Sequence, residues 1–141
     1  MEKFDFLIGN WRLEYTIPES SFGAAGSGEG EGIFSRVLKD NYVIFDYKAV
    51  LTTGSAQAHV IYTKDKGGDG YRCWWFEDTG NYETASCNFP DENTLFLKWL
   101  NTPLIQSFKR VEENHVVLTM ANQINEQKAE AILLVDMFKR I

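Results

Sequence analysis

Cysteine, histidine, proline and runs of positive charge are all scarce in this chain, and each scarcity excludes something. Two histidines and two cysteines in 141 residues, with no metal-ligand spacing, leave zinc, iron and haem sites without ligands, so no metal or cofactor is expected. Cys73 and Cys87 are expected as reduced, packed thiols on opposite faces of adjacent strands, an arrangement that forbids a disulfide. No basic run exceeds Lys109-Arg110 or Lys139-Arg140, and the net charge is −6, so nucleic acid and anionic membrane surfaces are repelled on average. No apolar run approaches the roughly 18 residues of a membrane span, and Met1 to Asp5 lack the order of a signal peptide. A cytoplasmic location is the expectation.

What the chain has is aromatic and β-branched residues in period-two alternation. Aromatics make up 14% of it, and those side chains suit a pleated, half-buried surface. Trp11, Leu13, Tyr15 and Ile17 alternate with polar partners until Pro18 removes a ladder donor. Val43 to Leu51 alternates again, and Thr53-Gly54 is expected to turn the chain into a strand carrying Ala56, Ala58, Val60 and Tyr62 on the same face. Further short segments follow, separated by Lys64 to Gly70, Thr79-Gly80, Pro90 to Asn93, Asn101 to Pro103 and Glu113-Asn114. Helical spacing is almost absent. About ten strands joined in order by short loops curl and close instead of leaving two long edges. The chain therefore reads as a single all-β domain over residues 1–141, a closed up-and-down antiparallel barrel. A two-sheet sandwich is the alternative, with Pro18 to Ser27 as the sole connection long enough to cross.

Phe6-Leu7-Ile8-Gly9-Asn10-Trp11 resembles the opening of the lipocalins and of the wider calycin group, in which Gly-x-Trp begins the first strand. That resemblance implies a short N-terminal helical plug, supplied by Phe4, Leu7 and Ile8. It also implies a basic side chain from the last strand across Trp11: Arg140, or less readily Lys139. The second lipocalin motif is missing. The Gly-rich second strand and Trp75-Phe76-Glu77-Asp78-Thr79-Gly80 make most of the chain similar to DUF1579, a bacterial family of unknown function. What that similarity implies is a calycin-like barrel. Nitrobindins, haem proteins of the same broad architecture, use an axial histidine; here His59 is expected on the outer face and His115 in a solvated turn.

Catalytic signatures are absent. Glu29 and Glu31 have a spacing seen in two-carboxylate hydrolases, but they share one outward face of a strand whose other face is Gly28, Gly30 and Gly32. The candidate site is the barrel interior. If Thr79-Gly80 is a two-residue turn, Arg72, Trp74 and Phe76 share the inward face with Glu83, Ala85, Cys87 and Phe89. Tyr47, Tyr62 and Trp99 are candidate walls, Ala49, Ala56 and Ala58 leave space, and Arg72 or Arg110 could meet an anionic group on a ligand. Pro18 to Ser27, with lone Phe22, reads as either a lid over the mouth or a plain connector. The leading functional reading is a small-molecule-binding protein, monomer or homodimer, holding an apolar or amphipathic ligand, neutral or anionic. The alternatives are an interaction module with a packed barrel and a functional outer surface, and a calycin-type enzyme acting on a small molecule.

Overall fold

A computed structural model describes residues 1–141. A 3-10 helix, Glu2–Leu7, precedes ten strands: β1 Gly9–Ile17, β2 Gly26–Val37, β3 Tyr42–Leu51, β4 Gly54–Lys64, β5 Tyr71–Glu77, β6 Tyr82–Asp91, β7 Thr94–Trp99, β8 Leu104–Glu112, β9 His115–Asn125 and β10 Lys128–Lys139. Each strand pairs antiparallel with the next, and β1 pairs with β10 to close the barrel. Closure satisfies both edges at once, which is why so many short strands need no covering helix.

The helix plugs one end. Phe4, Phe6 and Leu7 are buried, and the Phe4 ring lies 4.9 to 5.5 Å from Tyr62, Tyr71 and Phe89. Trp11 sits just inside, its indole Nε1 donating to the Leu7 carbonyl at 2.7 Å. Gly9 precedes it with φ +139, a conformation that other residues avoid, and the Lys139 stem passes where a Cβ would stand. The cation over Trp11 is Lys139, with Nζ 5.9 Å from the ring centre. The expectation for Arg140 is thus corrected: it lies beyond the last strand, outward and exposed, with Glu31 at 3.8 Å. Adjacent residues point to opposite faces of a strand, so Lys139, paired with inward Trp11, is the one that can reach the indole.

Above the plug, Phe34 stacks on Phe45 at 4.0 Å and both meet Phe108 edge-on. These rings fill the lower half of the barrel. On one side the wall folds in tightly, because β2 carries glycine at its inward positions. A Cβ on Gly30 would lie 2.2 Å from the Lys48 carbonyl oxygen and 2.8 Å from the Ala49 Cα, so only glycine permits that approach.

Two hairpins turn differently from expectation. The β3–β4 loop is Thr52-Thr53, with Leu51 opposite Gly54. The register moves by two residues, so the predicted faces survive. The β5–β6 loop contains three residues, Asp78-Thr79-Gly80. Glu77 and Asn81 are joined by backbone, and Gly80 takes φ +91. A two-residue type I′ turn would need positive φ at Thr79, which a β-branched residue resists. The one-residue change reverses every side chain of β5 relative to β6. Tyr71, Cys73 and Trp75 therefore share the inner face with Ala85 and Cys87. Both cysteines are buried and free on that one face, which corrects their placement on opposite faces.

Candidate functional site

The upper half of the barrel holds a cavity of about 130 Å³. Phe45, Tyr62, Phe108 and Leu118 line its deeper part, toward the plug. Tyr47, Trp75, Leu97, Trp99, Leu104 and Met120 line it higher up, and Tyr15, Glu83, Thr102 and Leu133 lie toward the unplugged end. All but Thr102, in the β7–β8 loop, are inward positions of their strands, so the period-two pattern that built the sheet also made the walls apolar.

Two of the walls are held by specific contacts. The Trp75 indole Nε1 donates to the Tyr47 hydroxyl at 3.0 Å, and its ring meets Trp99 edge-on at 5.8 Å between centroids. Burial pushes the Tyr47 hydroxyl up to about 12, against a smaller lowering by the Trp75 hydrogen bond. Burial raises Tyr15 and Tyr62 as well, so all three lining phenols are neutral at physiological pH. Cys73 is raised by its hydrogen bond with Cys87 and by burial, and is an inert thiol.

No lysine, arginine or histidine lines the cavity, and its one ionisable carboxylate is Glu83. Glu83 stands opposite Trp75 across β5 and β6, half-buried, and no cation of the chain lies within salt-bridge distance of it. Trp99 Nε1 and Gln106 Oε1, on two further lining residues, are buried without a hydrogen-bond partner. Buried polar atoms are normally satisfied, so two orphans around one cavity are groups that a bound molecule would complete.

Tyr47, Tyr62 and Trp99 lie where the sequence reading put them. Arg72, Trp74 and Phe76 do not: the three-residue turn puts all three on the outer face. There Trp74 is 37% and Phe76 41% exposed, and Phe76 packs near Tyr82 at 6.4 Å. Arg72 lies between Thr63 and Ser86 of the neighbouring strands, away from the cavity. Arg110 has inward parity but belongs to the plugged end. Its guanidinium donates to Asn93 Oδ1 at 2.9 and 2.7 Å and lies 5.7 Å over Phe6. Neither arginine is available to an enclosed ligand, which removes the basis for an anionic one. Ala49, Ala56 and Ala58 do not line the cavity either; they stand on the side where the wall folds in.

Trp75, Glu83 and Gln106 are the residues that the sequence reading passed over. Threonine at the first turn position was the available signal for Trp75. Glu83 has the inward parity of Ala85 and Cys87 whichever turn length is taken, so strand alternation was its signal.

Outside the cavity, His59 pairs with Asp46 on the outer face. His115 is the first residue of β9, not a solvated turn residue. It lies 2.8 Å from Asp136 and stacks on Phe138 at 4.6 Å. Phe22 is 63% exposed, and Ser21 ties its loop to Glu130 at the start of β10 through a 2.6 Å hydrogen bond. The loop is thus drawn to the barrel's side, and none of its residues lines the cavity. No helix is long and apolar enough to cross a membrane.

No family model and no curated protein matches this chain. Among solved structures it is similar to Rv2717c from M. tuberculosis, at 10% identity and a TM-score of 0.65 over 100% of this chain and 99% of that one. It is similar also to the S-type phycobiliprotein lyase CPES from Guillardia theta, at 8% identity and TM-score 0.62, over 99% and 92% of the two chains. A de novo designed fluorescence-activating β-barrel matches at 8% identity and TM-score 0.51, over 99% of both. At such identities the likeness shows the fold alone, a closed antiparallel barrel.

Proposed function

We propose that this protein binds a small, largely apolar molecule inside the barrel, and that binding is its biochemical role. One observation carries the reading: an apolar cavity of about 130 Å³, lined by aromatic and aliphatic side chains and bordered by unpartnered polar atoms. A dry apolar cavity of about 150 Å³ holds benzene, so the natural size class is a single ring or a short branched chain. Drug-sized pockets begin at roughly 300 Å³. Two structural neighbours, a fluorescence-activating barrel and a phycobiliprotein lyase, are consistent with small-molecule handling on this architecture.

The same reading takes the chain as a DUF1579-like calycin. What supports it is the Gly9-x-Trp11 opening, the plug beneath it and the cation across the indole. Reduced, inward-facing Cys73 and Cys87 fit a cytoplasmic protein.

Titration with benzyl alcohol, followed by methyl NMR of Leu97, Leu118 and Val135, tests the cavity. Saturable shifts at those three residues support the reading. Shifts confined to outer-face residues, or none up to the solubility limit, refute it. Leu118→Phe, which fills the deep end, is expected to weaken binding at least about tenfold, the scale of one lost ring contact.

A further inference from the structure

We infer that the molecule held in the cavity is an organic cation: a single flat or short apolar body carrying one protonated amine, with the amine lodged by Glu83. This rests on the cavity being the ligand site and adds the ligand's charge and polarity.

Four features point the same way. The walls offer ring faces, and Tyr15, Tyr47, Trp75 and Trp99 all line the half of the cavity nearer the unplugged end. Aromatic faces carry negative electrostatic potential and attract ammonium groups, tryptophan most strongly. Beside those rings stands Glu83, directly across from Trp75, with no cation of the chain to neutralise it. Glu83 is the one carboxylate on the cavity wall and the lining phenols are neutral, while Glu77, outside the lining, acts on Tyr47 with the same sign, so the field in the cavity is negative. The third feature is independent of charge: Gln106 Oε1 is a buried acceptor without a donor, and an ammonium is a donor with several hydrogens. The fourth is the orphan Trp99 Nε1–H, on a residue only 6% exposed, which asks the ligand for one acceptor as well. An amino alcohol or an amino ether on an apolar body satisfies all of them. A carboxylate ligand satisfies only the last and is repelled by Glu83.

Three probes that share one ring separate the possibilities: benzylamine, benzyl alcohol and benzoate, titrated at neutral pH with the same NMR readout. Benzylamine is expected to bind about tenfold tighter than benzyl alcohol, the sum of a partly desolvated cation–π contact and one half-exposed ion pair. Benzoate is expected not to saturate. Glu83→Gln is expected to bring the benzylamine to benzyl alcohol ratio close to one, while Glu29→Gln, on the outer face, keeps it. Should Glu83→Gln fail to fold, the wild-type protein answers by salt. Raising ionic strength from about 0.05 to about 1 M shortens the screening length severalfold and is expected to erode the preference for benzylamine. The inference is overturned, with the cavity reading intact, if benzyl alcohol or benzoate binds tightest, or if a benzylamine preference survives both Glu83→Gln and salt. If none of the three probes binds at the cavity methyls, both fall.

Discussion

Alkaline pH is expected to unfold this barrel through its buried phenols, and the size of the effect follows from Tyr47. Its hydroxyl titrates near 10 in the unfolded chain and is held to about 12 in the fold by burial. Above pH 10 the unfolded state therefore binds fewer protons than the folded one, and stability falls as pH rises. The contribution is fully present below pH 10 and is lost as pH climbs through 12. Two pH units at about 1.36 kcal/mol each make roughly 3 kcal/mol, against a total of about 5–15 for a domain. Tyr15 and Tyr62 are raised by the same cause and act in the same direction. Urea unfolding midpoints measured from about pH 8 to about pH 12, beside near-ultraviolet absorbance of tyrosinate, test this. The midpoint is expected to hold up to about pH 9 and then drop, with the buried phenols ionising only as the fold is lost. Tyr47→Phe removes about 3 kcal/mol of that alkaline loss, at a cost near neutrality of about 1–2 kcal/mol for leaving the Trp75 indole without its acceptor. A midpoint flat through pH 12, or complete tyrosinate formation in a folded protein, would refute the reasoning.

Three further perturbations probe other parts of the argument. Gly30→Ala is expected to cost about 2–3 kcal/mol in urea unfolding, because its Cβ meets backbone that no side-chain rotation can move, while Gly67→Ala, whose Cβ would meet only the Asp65 carboxylate at ordinary contact distance, stays within about 0.5 kcal/mol; equal effects would mean that β2 does not approach β3 so closely. Lys139→Met is expected to lose about 0.5–1 kcal/mol from the cation over Trp11, and Arg140→Met nothing beyond about 0.5 kcal/mol by the same assay, the reverse order contradicting the assignment. Trp75→Phe is expected to weaken benzyl alcohol binding severalfold, whereas Trp74→Phe leaves its Kd within about twofold; the opposite ranking would restore the two-residue turn.

That last pair shows where the sequence was legible and where it was not. Fold class was legible because closure depends on quantities that alternation and loop length carry: about ten amphipathic strands, short loops and no helical crossover leave little choice but a barrel. The plug was legible through the resemblance of Phe6 to Trp11 to the calycin opening, which implies a short helix beneath the indole. The walls were legible on β3, β4 and β7, where Tyr47, Tyr62 and Trp99 continue long, one-sided patterns. They were not legible on β5, because Tyr71 to Phe76 is aromatic on both faces, and alternation gives no preference when either set of side chains is apolar. There the turn alone decides, and one residue in its count separates Trp75 inside from Trp74 inside. The same count decided the chemistry of the site. With Arg72 inward the barrel asks for an anion; with Glu83 left as the only charge in the cavity it asks for a cation. The three-residue turn, which spares Thr79 a positive φ, thus decides which side chains of β5 face the cavity.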